Sequence, residues 1–137
     1  MKTAVYNYTQ TSDISWMPLL PIRLEFAGRY FEILALVDSG AGTSVLPYAI
    51  GLHLGLRFDD YKRGPNLTGN AKNDETRLIA LKCQIPNFEE LNLGFAWTNG
   101  EQQRVIFGQQ NFFTLFDICF VQRSRKFSLM QPEQGDA

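Results

Sequence analysis

The chain has 137 residues, 45% of them apolar and 20% charged, with a net charge of −1. That suits one domain, 1–137, long enough to bury a core, and it excludes a disordered chain or a set of membrane spans. Lys and Arg are scattered rather than clustered, which excludes nucleic acid as the main partner, because phosphate binding needs a basic patch.

Met1 to Asp13 is polar with interleaved Val5, Tyr6 and Tyr8, and reads either as a terminal edge strand or as a loose arm. Leu19 to Phe26 alternates as Leu20, Ile22, Leu24, Phe26, the pattern of a half-buried strand. Pro21 puts its start at an edge. Gly28-Arg29 marks a hairpin turn into the next strand. That strand carries an apolar run, Ile33 to Val37, that reads as buried on both faces. It delivers one carboxylate, Asp38, into a turn of small residues, Ser39-Gly40-Ala41-Gly42, and Val45-Leu46 follows at once. A carboxylate at the end of a buried strand is costly unless something satisfies it, so Asp38 is a site candidate. Asp, Ser and Gly are also ordinary turn formers, and the three letters alone carry little weight. A phosphate loop is excluded, because no Gly-Lys-Ser/Thr ending follows.

Pro47 suits the first position of a short helix running to Leu56, which Gly51 and Gly55 keep short. Arg57 to Arg77 is the most polar stretch, with Gly64-Pro65, Gly69-Asn70 and Asn73-Asp74 as turn signals. Strands resume at Leu78 to Ile85, at Asn92 to Thr98 and at Gln102 to Phe107, the last two turned by Asn99-Gly100, a strong hairpin dipeptide. Gly108 opens a second short helix through Phe112, Phe113 and Phe116. Asp117 to Gln122 and Lys126 to Met130 are the closing strands, and the tail from Gln131 is polar and frayed. Strands at short spacing with two brief helices predict an all-β, barrel-like domain, its core spanning about 19–130, with 1–13 and 131–137 as loose termini.

Two stretches, in this order and at this separation, resemble the signature of the retropepsins, the retroviral-type aspartic peptidases. The first is Leu34-Ala35-Leu36-Val37-Asp38-Ser39-Gly40-Ala41 followed by Thr43-Ser44-Val45-Leu46-Pro47. The second is Val105-Ile106-Phe107-Gly108. The resemblance covers roughly Leu19 to Met130, and the Leu-Pro, short helix, Leu-Gly-Leu segment after Asp38 is similar to that of bacterial and cellular relatives. It implies a closed retropepsin-like barrel, active as a two-fold homodimer, that hydrolyses a polypeptide with Asp38 as its catalytic carboxylate and needs neither metal nor cofactor. Ser39, Gly40 and Ala41 would support the active turn, Ser39 by a hydrogen bond across the dimer axis. Ile106, Phe107 and Gly108 would form the second motif, and Leu67, Thr68, Gly69 and Asn70 the tip of a flap over the bound peptide. Two positions depart from the pattern: the acidic residue usual after Ala41 is Gly42, and the Arg usual after Gly108 is Gln109. In the family the two pair, so losing both strands no charge.

Peptide hydrolysis by carboxylates needs two of them, one to take a proton from water and one to give a proton to the carbonyl oxygen. Asp13, Asp59, Asp60, Asp74, Asp117 and Asp136 lack the Ser/Thr-Gly that follows Asp38, so the second carboxylate is expected from another copy of the chain. The alternative is a retropepsin-fold module for dimerisation or peptide binding, with weak or no hydrolysis. Cys83 and Cys119 read as free thiols, far from any Cys-x-x-Cys spacing, and the one histidine, His53, as a packing residue. Met1 to Thr11 lacks the apolar segment of a signal peptide. A cytoplasmic protein with no membrane partner is the expectation, and the sequon Asn66-Leu67-Thr68 is then chance.

Overall fold

The structure, a computed structural model, describes residues 2–67 and 74–132. The alternation read in the sequence builds its first barrel hairpin. Strand β4 (Leu19–Phe26) turns Leu20, Ile22 and Leu24 inward and leaves Pro21 and Arg23 outside. It pairs antiparallel with β5 (Arg29–Val37), from Leu19 opposite Leu36 to Phe26 opposite Arg29. The turn is Ala27-Gly28, at φ +48° and +85°, the doubly positive conformation a two-residue hairpin demands. On its other side β4 meets β7 only from Arg23 to Glu25, so Pro21 lies where that edge is open.

Before this hairpin come β1 (Lys2–Asn7) and a smaller hairpin of β2 (Thr9–Ser12) and β3 (Ser15–Met17). Of the two readings of the N-terminus, the strand is the one formed, since Lys2 to Asn7 pair with Gln131 to Lys126 of β11 (Lys126–Gln131). The arm is therefore not loose from Lys2 onward. The tail is expected to fray from Gln131, but Gln131 ends β11 and pairs with Lys2; residues 133–137 lie outside the described residues.

After β5 come β6 (Val45–Leu46) and α1 (Tyr48–His53). Pro47 is the helix cap in an extended conformation rather than its first helical residue. Gly55, at φ +85°, ends the helix, with the Gly55 N–H on the Leu52 carbonyl and the Leu56 N–H on that of Gly51. This pair of bonds satisfies the last carbonyls and needs a left-handed residue between them. His53 packs edge-on against Phe31, ring centroids 4.8 Å apart. A single 3-10 turn (Phe58–Asp60) precedes β7 (Thr76–Gln84), β8 (Leu91–Thr98) and β9 (Val105–Phe107). The six strands close a barrel in the order β4-β5-β9-β6-β8-β7.

Three expectations are corrected. Asn99-Gly100 is no β8–β9 hairpin: β8 pairs with β6 and β7, and β9 with β5 and β6. Asn99 instead closes the end of the β7–β8 ladder, its side-chain oxygen accepting from the Glu75 N–H at 2.8 Å. The local turn signal yields to the burial of Val105 and Phe107 between β5 and β6. The second helix is a run of turns, because Asn111 adopts φ +72°, which a right-handed helix cannot continue through. Phe112 and Phe116 still reach the core, with Phe112 4.1 Å from Phe107 between ring centroids. Finally, β5 is not buried on both faces. Ala35 and Val37 point into the barrel, while Leu36 is half-buried and Leu34 is exposed.

Outside the barrel a three-stranded sheet runs β1-β11-β10, with β10 (Asp117–Val121) at one edge. Phe127 at its centre meets Tyr6, Tyr8 and Phe120. β10 pairs with β11 alone among the described residues, and Phe120 and Val121 are exposed on it. No helix of the described residues is long and apolar enough to cross a membrane.

Two outcomes follow from this packing. Trp97 is fully buried, donates its indole N–H to the Tyr48 carbonyl and lies directly on Gly51. A methyl at Gly51 would enter the indole ring, so Gly51→Ala is expected to lower stability by about 1–3 kcal/mol, read as a shifted urea midpoint with an unchanged slope. Cys83 is fully buried, and burial pushes its thiol up from 9.0 to about 12. The unfolded thiol ionises near 9 while the folded one stays neutral. This contribution to stability is therefore whole below pH 9 and is lost as pH rises toward 12. In a Cys119→Ser background a thiol reagent at pH 8 is expected to label Cys83 only at the rate of unfolding.

Candidate active site

Asp38 sits where β5 leaves the barrel. Its N–H donates to the Phe107 carbonyl at 3.0 Å, extending the β5–β9 ladder by one bond. The chain then reverses: the Ala41 N–H donates to the Asp38 carbonyl at 3.2 Å, and the Gly40 N–H to Asp38 Oδ1 at 2.9 Å. An Asp side chain closing a turn on its own backbone in this way is what favours Asp at such positions. Here the bond also holds the carboxylate in one orientation. Gly40 is needed for closeness, since a Cβ there would stand 3.2 Å from Oδ1.

The turn is tied to the segment after β9. The Gln109 N–H donates to the Ala41 carbonyl at 2.8 Å and the Gln110 N–H to that of Gly42 at 3.1 Å. Gly108 permits this approach, because a Cβ on it would collide with the Thr43 carbonyl and stand 2.8 Å from that of Ala41. Ser44 completes the tie. It is buried, its hydroxyl accepts from the Gly108 N–H at 3.1 Å and donates to the Gln110 carbonyl at 3.3 Å, and its own carbonyl accepts from Ala96. Sequence reasoning missed Ser44. The available signal was a hydroxyl just before Val45-Leu46, where a buried strand otherwise has no use for one. The two motifs, Asp38 to Ala41 and Ile106 to Gly108, are thus brought together.

Asp38 opens onto two hollows. One is a cleft of about 800 Å³ whose floor includes Gly40, Ala41 and Ile106. The other, about 370 Å³, lies between Asp38, Ser39 and Leu36 on one side and Tyr8, Trp16 and Phe120 on the other. Residues 62–64 run beside β7, with the Leu78 N–H on the Lys62 carbonyl and the Gly64 N–H on that of Thr76. This arm leads Pro65, Asn66 and Leu67 to the wall of the cleft. Thr68, Gly69 and Asn70, read as the flap tip, lie outside the described residues. Among the described residues no group of three His, Cys, Asp or Glu side chains is placed to hold a metal ion.

Gln109 has a partner in the structure, whereas nothing in it requires glycine at Gly42. A Cβ at Gly42 would meet nothing within 4 Å, and the Gln109 amide donates from Nε2 to the Ser39 carbonyl at 2.6 Å. A neutral bond to the backbone stands where the resemblance to the retropepsins leads one to expect an ion pair.

No family model matches the chain, and no curated protein matches it in sequence. Solved structures do match in shape. A retropepsin-like aspartic protease from Rickettsia conorii aligns over 93% of this chain and 91% of its own, with TM-score 0.69 and 14% identity. The retroviral protease-like domain of Ddi1 from Leishmania major aligns over 88% and 98%, with TM-score 0.61 and 14% identity. The EIAV protease, complexed with the inhibitor HBY-793, aligns over 72% and 88%, with TM-score 0.51 and 20% identity. With its closed six-stranded barrel and a tied turn at Asp38, this chain has the retropepsin-like fold.

Proposed function

We propose that the protein is an aspartic endopeptidase that works as a two-fold homodimer, with one Asp38 carboxyl from each copy. The observation that carries the reading is the fixed carboxylate. Asp38 lies at the floor of an 800 Å³ cleft on a turn bonded to the backbone on both sides. Asp74 and Glu101 also line that cleft, but from other loops and without the Asp-Ser-Gly turn. A second copy facing the first supplies the second carboxyl in an identical setting.

Across such an axis two carboxyls about 3 Å apart share one proton. The ionised one takes a proton from the attacking water as its oxygen bonds to the peptide carbonyl carbon. The protonated one gives its proton to the carbonyl oxygen. The tetrahedral adduct collapses with a proton passed to the leaving nitrogen, and the dyad returns to its starting state. Substrate lies extended in the cleft, adding a strand to its walls, with the arm through Leu67 as the flap. The edge of β10, unpaired among the described residues, supports the assembly. It exposes Phe120 and Val121, and the hollow beside Phe120 reaches Asp38 and Ser39. Two β10 edges paired about the axis would cover both and bring the active turns together. The shared fold of the EIAV and Rickettsia conorii proteases agrees with this reading.

Asp38→Asn keeps shape and removes the base. Cleavage of a peptide library between pH 4 and pH 7 is expected to fall to background, with circular dichroism and sedimentation unchanged. Cleavage retained by pure Asp38→Asn protein rules out this chemistry, and capture of peptides by the wild type without cleavage favours the binding-module alternative. Sedimentation is expected to show a species of twice the 15.6 kDa of one chain, and specific activity should follow its fraction on dilution. Val121→Lys places a charge on the open edge and is expected to weaken the dimer by at least about tenfold, roughly 1.4 kcal/mol, with activity lost in step. A monomer that cleaves at full rate defeats the shared dyad.

A further inference from the structure

Gln109 is an exposed residue whose side chain nevertheless reaches the active turn. Its Nε2–H donates to the Ser39 carbonyl at 2.6 Å, between residues 70 apart in sequence. That carbonyl belongs to the same peptide unit as the Gly40 N–H, which donates to Asp38 Oδ1 at 2.9 Å. The peptide unit is planar and rigid. Rotating the Ser39 carbonyl away from Gln109 therefore swings the Gly40 N–H away from the carboxylate. The two bonds also run in one direction, amide to carbonyl and then amide to carboxylate, so each polarises the next. The base from which Gln109 reaches is fixed, because its own N–H is held by the Ala41 carbonyl at 2.8 Å. Asp38 is thus gripped through a neutral relay that starts on the other motif.

We propose that Gln109 is a positioning residue for Asp38, acting through the Ser39–Gly40 peptide. The proposal deepens the endopeptidase reading and rests on it. It does not need a charge at Gly42, where no side chain stands.

The test compares Gln109→Ala, Gln109→Asn and Gln109→Glu with wild type, at concentrations where sedimentation gives equal dimer fractions. Losing one hydrogen bond of this kind is expected to lower kcat about tenfold in the Ala variant with KM little changed. Asn is one methylene too short to span the gap and should match Ala. Glu should match Ala above about pH 4.3, where the ionised side chain has no hydrogen to give, and recover toward wild type below it, where its O–H can donate. A merely structural role would not produce this pH-dependent rescue. The second readout does not use activity: solvent exchange of the Gly40 amide, followed by NMR, is expected to quicken in the Ala variant. Unchanged kcat and unchanged Gly40 exchange in Gln109→Ala overturn the proposal, as does a loss confined to KM or a Gln109→Glu profile shaped like that of wild type. If wild type cleaves no peptide, it is the endopeptidase reading that fails, and the Gly40 exchange rate then decides whether Gln109 sets the turn.

Discussion

The three residues of β9 hold the site together. β5 and β6 are joined by the Asp38 turn but are not neighbours, because β9 runs between them, parallel to one and antiparallel to the other. The turn must therefore bridge a strand rather than fold back on itself, and it stays in place only because the β9 segment bonds to it. The Phe107 carbonyl takes the Asp38 N–H, and Gly108 meets the Ser44 hydroxyl. Phe107 anchors this strand from below, packed between Phe95 and Phe112. The apolar core thus reaches the carboxylate through one strand. A loss of packing at Phe107 would be felt at Asp38 before it was felt at the outer sheet.

The bond from Gln109 to the Ser39 carbonyl shows how a turn can be supported without charge. Gly42 and Gln109 are both exposed, and an ion pair at an exposed position is screened by water and contributes little. A neutral amide donating to a backbone carbonyl has a smaller desolvation cost and a smaller reward. Its advantage is directional: it fixes the plane of a peptide rather than the position of a charge. Gly42 then has no steric or electrostatic duty, consistent with the open space around it.

The parts of the fold that were legible in the sequence are those written in short-range pattern. The alternation of Leu20, Ile22 and Leu24 and the small-residue turn after Val37 needed only their neighbours to be read. The parts that were not legible depend on partners far along the chain. Asn99-Gly100 looks like a hairpin, because nothing nearby reveals that Val105 to Phe107 must insert elsewhere. Phe112, Phe113 and Phe116 have helical spacing, but Asn111 takes a left-handed conformation that its type merely tolerates. Leu34 and Leu36 look buried because an apolar run carries no mark of which face is covered. The hairpin of β2 and β3 has too few apolar residues to announce itself. At the site, Asp38 was found by its turn, whereas Ser44 was missed because its partners, Gly108 and Gln110, lie 64 and 66 residues away.

The insertion of β9 also orders events in time. The turn's own bonds, from the Gly40 and Ala41 N–H groups to Asp38, are local. The side-chain bonds that tie it to the segment after β9 join residues some 64 to 70 positions apart, so that tie forms only once a long loop has closed. The β4–β5 hairpin can form from adjacent chain, but β9 must arrive before β5 and β6 share a neighbour. Contacts of such separation form slowly compared with local ones. A chain emerging during synthesis has made Asp38 long before β9 is there to tie its turn to the barrel. The same geometry that builds the site postpones it, and the nascent polypeptide passes its most exposed stage with the turn at Asp38 still untied.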